Sequence, residues 1–118
     1  MFADTFKMGL SFEISQNKLA GLSATLQSAL AKVVETTAFE ISEEAKLRAP
    51  VDTGNLRASI SSESAGLSGS ISVGADYGAA VEFGGVYTSP QPYLTPAVSE
   101  AKDGFIQRIK SALKENTA

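Results

Sequence analysis

The chain has 118 residues, 43% of them apolar and 19% charged, with no cysteine and no histidine. That is globular composition for one domain of ordinary size, and it rules out disulfides, thiolate or histidine-ligated metals, and serine–histidine or cysteine–histidine catalysis. A formal net charge of −3 argues against a general nucleic-acid binder. No run of 18 apolar residues is present, so no membrane-spanning helix is expected. The first residues lack a basic region followed by an apolar run, so no secretory signal is expected. These features predict synthesis in a cytoplasm.

Taken in chain order, residues 9–15 alternate Leu10, Phe12 and Ile14 with Ser11, Glu13 and Ser15. The alternation predicts a half-buried strand. Residues 18–48 follow as one long predicted helix behind Asn17 as N-cap. Its apolar stripe comprises Leu19, Leu22, Leu26, Leu30, Val33, Thr37, Ile41 and Ala45. Phe39 lies off that stripe, which marks it as a candidate for a second buried surface. The helix is expected to stop at Ala49, ahead of Pro50.

Val51-Asp52-Thr53-Gly54-Asn55 reads as a turn. Residues 56–74 read as a β-hairpin, with strands 56–61 and 67–73 joined around Glu63-Ser64-Ala65-Gly66. A short helix is expected at 77–83, capped by Asp76 and closed by Gly84. A Gly/Pro loop then covers 84–94, within which Val86-Tyr87-Thr88 could pair as an edge strand. Thr95 and Pro96 supply cap and first turn of a last helix over 96–114. Its apolar face is Val98, Ala101, Phe105, Ile109 and either Ala112 or Leu113. The fold class expected is α+β: a long N-terminal and a C-terminal helix packed on a small antiparallel sheet of three or four strands, forming a single domain over 1–118.

The residues offer little chemistry. Asp52, Asp76 and Glu82 could converge as a carboxylate site for a glycoside or a hard metal. Turn and cap roles already account for both aspartates, and Glu82 reads as a surface charge or an ion-pair partner. Arg57 and Glu82, each a lone charge among small or apolar residues, are expected to find each other or a neighbouring subunit. The glycines form no phosphate loop. Arg108, Lys110 and Lys114 could touch phosphate if they shared one open face, but a solvated helix face explains them better. No catalytic, cofactor-binding or metal-ligating residue is assigned. By elimination the domain is structural.

Four segments together resemble a known family. They are Pro50-Val51-Asp52-Thr53-Gly54-Asn55-Leu56, Val73-Gly74 with Asp76-Tyr77, Glu82-Phe83-Gly84, and Pro92-Tyr93-Leu94-Thr95-Pro96. In this order and spacing the chain resembles the tailed-bacteriophage neck or tail-completion proteins, small factors that join head to tail. The resemblance implies a non-enzymatic virion component without cofactors, built as a ring, hexameric by the symmetry of the tail, around the DNA channel. Its implied partners are other neck proteins: a head-completion or stopper protein on one side, a tail terminator or tail tube on the other. It implies no membrane and no specific nucleic-acid contact. The tail terminator itself is the nearest alternative. Pro50, Asp52, Thr53, Gly54, Leu56, Glu82, Phe83, Gly84, Pro92, Tyr93, Leu94 and Pro96 are implied to be structural, whereas Phe39 and Tyr87 are the residues expected at a subunit interface.

Overall fold

A computed structural model describes residues 8–14, 23–49, 55–74, 78–84 and 89–116. Its elements are β1 (Met8–Glu13), α1 (Ala24–Arg48), α2 (Asn55–Ala58), β2 (Ile60–Ala65), β3 (Ser68–Val73), α3 (Gly78–Phe83) and α4 (Leu94–Asn116). The fold is α+β, with two long helices on a three-stranded antiparallel sheet of order β1-β3-β2. α1 packs on β2 and β3 and runs beside α4.

The register places Leu10 opposite Ile71 and Ile71 opposite Ser62, and pairs Ile60 with Val73. Period-two alternation then sends Ile60, Ile71, Val73, Leu10 and Phe12 to the helix side, while Ser11, Glu13, Ser61, Glu63 and Ser72 face water. Gly69 sits under the Phe12 ring. A methyl there would lie 2.8 Å from Phe12 Cζ and 3.0 Å from Val34 Cγ1, so the position accepts no side chain without a shift. The ring in turn meets Phe105 of α4 edge-on, with centroids 5.4 Å apart.

Several boundaries differ from expectation. α1 starts at Ala24, because Ser23 is extended (ψ 156°) and its hydroxyl accepts from the Leu26 N–H at 3.1 Å. A serine cap with that geometry ends the helix on its N-terminal side. Asn17, the cap expected there, lies outside the described residues, as do Leu19 and Leu22. The buried stripe is Leu26, Leu30, Val34, Thr37, Ala38, Ile41, Ser42 and Ala45, with Val33 at its margin. Ser42 is accommodated because its hydroxyl donates to the Phe39 carbonyl one turn back, at 2.7 Å. At the other end Ala49 is extended (ψ 138°), as a residue preceding proline should be.

Residues 55–58, expected in the first hairpin strand, form the helical turn α2. Leu56 is buried there, and both the Ser59 hydroxyl and N–H donate to its carbonyl. A local serine bond of this kind outcompetes the ladder. β2 therefore begins at Ile60, and the hairpin turn is Gly66-Leu67 rather than 63–66. Gly66 has φ +56° at the first position of this two-residue loop, which a side chain would oppose. α4 begins at Leu94, two residues before the expected start, so Thr95 and Pro96 are its second and third residues. Its inner face carries Ala112, while Leu113 is exposed.

Candidate functional site

α3 is a single short helix whose last residues are Val81, Glu82 and Phe83, closed by Gly84 at φ +86°. That left-handed glycine is the helix stop the sequence predicts. The Gln91 N–H donates to the Val81 carbonyl at 2.7 Å, which returns the chain to α3 after the Gly/Pro segment. One residue on, Glu82 is 3% exposed and turned inward. Its Oε1 accepts from the N–H groups of Tyr93 (2.9 Å) and Leu94 (2.8 Å), and its Oε2 accepts from Thr95 N–H (3.0 Å).

The arrangement has a simple physical cause. The first N–H groups of a helix have no partner within it. In α4 the third residue is Pro96, which has no N–H to satisfy. The donors that precede it are all taken by one carboxylate, at the positive end of the helix dipole. Burial by itself would raise the Glu82 pKa. The Thr95 hydroxyl and the three backbone N–H groups outweigh it and hold the carboxyl below its ordinary value of 4.5. Tyr93, 0% exposed, has its phenol pKa raised by burial and then by the neighbouring Glu82 charge.

Glu82 is therefore not a surface charge, and among the described residues it serves as a backbone acceptor instead of an ion-pair partner. Among the described residues no ion pair joins it to Arg57, whose Nε is buried without an acceptor. Both carboxylate oxygens already accept backbone hydrogen bonds, so Glu82 has no lone acid function to offer a substrate. Asp52 and Asp76, its suggested companions, lie outside the described residues, as do Pro50, Thr53, Gly54 and Tyr87. Of the remaining motif residues, Leu56, Tyr93 and Leu94 are buried, Pro96 is half-buried and Pro92 is exposed. The Glu-Phe-Gly and Pro-Tyr-Leu-Thr-Pro segments, read separately from the sequence, are the two halves of one clamp between α3 and α4. Sequence alone missed the connection because the contact spans 11 to 13 residues across the loop.

What the clamp leaves outside is apolar. Glu82 points in, so Phe83 points out and is 70% exposed. Phe39 and Leu47 on α1 are exposed at 58% and 74%. Phe39 and Leu47 line a groove with Glu43 and Glu100, and Glu100 also borders the hollow under Phe83. At the other end of α4, Arg108 pairs with Glu40 and reaches the Thr37 hydroxyl. It is thus drawn onto α1 rather than displayed beside Lys110 and Lys114, and the open basic face required for a phosphate site is not formed. Among the described residues no helix is long and apolar enough to cross a membrane.

The hairpin and the α3 side of this clamp fall in a stretch with a family signature. Residues 15–84, more than half of the chain, match the family model described as "Bacteriophage HK97-gp10, putative tail-component". The chain belongs to the HK97-gp10-like family of phage tail components. The HK97-gp10-like match takes in the Asp52-Thr53-Gly54 segment, the hairpin and Glu82-Phe83-Gly84, and ends before the Tyr93–Thr95 side of the clamp. No curated protein and no solved structure matches the chain. As an HK97-gp10-like protein it is a structural component of the virion tail.

Proposed function

We propose that this tail component acts at the neck, joining or completing the tail at the head–tail interface as a homo-oligomeric ring around the DNA channel, non-enzymatic and without a cofactor. The observation that supports the reading is the trio Phe39, Leu47 and Phe83, large apolar side chains held in water around one region of the surface. An exposed patch of this kind is characteristic of a surface that becomes covered. In a ring each subunit needs two different complementary patches, and Phe39 belongs to one of them. The sequence names Tyr87, which lies outside the described residues, as a further interface residue. Neighbouring neck proteins, a stopper on one side and a terminator or tube on the other, would close the stack.

Phe39→Asp tests the reading. The substitution adds a charge to a surface that must become dry, while Phe39, 58% exposed, is not one of the buried core residues. The expected outcome is an unchanged thermal midpoint for the isolated protein and its absence from particles, with heads and tails left unjoined. Normal joining by the variant overturns the role of this patch. Joined heads and tails in a phage lacking the gene altogether overturn the neck function.

A further inference from the structure

We propose that adjacent copies in the ring meet helix to helix, with the outer stripe of α1 on one subunit (Phe39, Glu43, Leu47) seated on the outer stripe of α4 on the next (Ile106, Lys110, Leu113). The inference rests on the ring reading above and names the surfaces that would form it. Phe39, Glu43 and Leu47 are four residues apart and all exposed, so they form one ridge on α1. Ile106, Lys110 and Leu113 follow at four and three residues and are likewise exposed, forming one ridge on α4. At about 1.5 Å per residue both ridges are roughly 10–12 Å long.

Their order is complementary: apolar, acid, apolar on α1 against apolar, base, apolar on α4. Glu100 lies beside the first ridge, and Lys102 and Lys114 flank the second. Either ridge docked on its own copy would set Glu43 near Glu43 or Lys110 near Lys110. Like charges at the centre of an interface disfavour that pairing. The unlike pairing is head-to-tail, the kind that closes into rings. Glu43 has an exposed ion pair with Lys46 at 3.1 Å, but such surface pairs are worth little and exchange readily. Lys110 has no acidic partner among the described residues.

The chain contains no cysteine, which makes a thiol test clean. Glu43→Cys and Lys110→Cys, introduced together, should yield a reducible ladder of multimers when particles are oxidised. Each single variant should stay monomeric, and a mixture of the two singles should stop at dimers. Closure within one chain is excluded. Glu43 shares its groove with Glu100, and Lys110 lies ten residues further along α4, roughly 15 Å, beyond disulfide reach. As a second measurement, Glu43→Lys should lower incorporation into particles roughly tenfold, and adding Lys110→Glu to the same chain should restore it. A dimer formed by either single variant, or charge reversal without rescue, overturns the pairing. Labelling the protein in particles reads the neck assignment separately. Label at the head–tail junction without a ladder overturns the helix pairing alone. A ladder with label elsewhere on the tail overturns the neck location alone.

Discussion

At Glu82 one side chain decides how two elements meet. Its carboxylate is the acceptor for three backbone donors at the start of α4, and an unsatisfied buried donor costs about 1–3 kcal/mol. Glu82→Gln keeps the shape and removes the charge, and should destabilise the fold by about 1–3 kcal/mol in denaturant unfolding. The pH dependence has a defined sign. The folded carboxyl titrates below its ordinary 4.5, so the stabilisation is complete above that value and is lost as pH falls through the lower folded pKa. Wild-type unfolding midpoints should therefore drop below pH 4.5, and the Gln variant should drop less steeply over the same range. Gly69 is the second single-residue constraint. Gly69→Ala pushes a methyl into Phe12 and Val34 and should cost about 1–3 kcal/mol. Combining it with Phe12→Leu, which withdraws the ring, should cost less than the sum of the two single changes.

At the scale of elements, α1 is shared by two clusters. Its C-terminal half packs Ala38, Ile41 and Ala45 with Ile60, Ile71, Val73 and Tyr93. Its N-terminal half packs Leu26 and Leu30 with Leu67 and Ala112. Leu26→Ala and Ile60→Ala should each cost about 2–5 kcal/mol. They should differ in where protection is lost. Leu26→Ala should speed hydrogen exchange first in the last turns of α4 around Ala112, whereas Ile60→Ala should loosen the sheet and the clamp together. Equal exchange patterns in the two variants would show one cooperative core instead of two. Between the clusters the Arg108–Glu40 pair ties α4 to α1, but both side chains are more than a third exposed. Arg108→Ala should therefore shift stability by no more than about 1 kcal/mol.

The described chain extends over 55 × 29 × 20 Å, so long helices present much surface relative to the core they cover. A specific contact buries about 800 Å² on each partner, and the accessible surface is 7536 Å². Two such contacts per subunit would cover roughly a fifth of it, enough to place the exposed Phe39, Leu47 and Ile106 in dry surroundings. Ion pairs contribute little to such a contact, so salt should weaken self-association of the assembled protein only moderately. Light scattering at low and high salt checks this. Complete dissociation by salt alone would show an interface held by charge, without the apolar part.

Periodicity and punctuation in the sequence determined the fold class, the two long helices, the strand around Leu10 and Phe12, and the stops at Ala49 and Gly84. Those features depend on neighbours within one turn or one alternation, which lie side by side in the chain. The absence of cysteine and histidine likewise excluded whole classes of chemistry before any fold was considered. Tertiary structure decided the rest. Ser23 rather than Asn17 starts α1, and a local serine bond folds residues 55–58 into a turn although Leu56, Ala58 and Ile60 alternate like a strand. Glu82 looked like a surface charge because nothing adjacent in sequence needs it. Its donors lie on the far side of a loop, and only the meeting of α3 with the proline-interrupted start of α4 turns an isolated carboxylate into the cap that joins them.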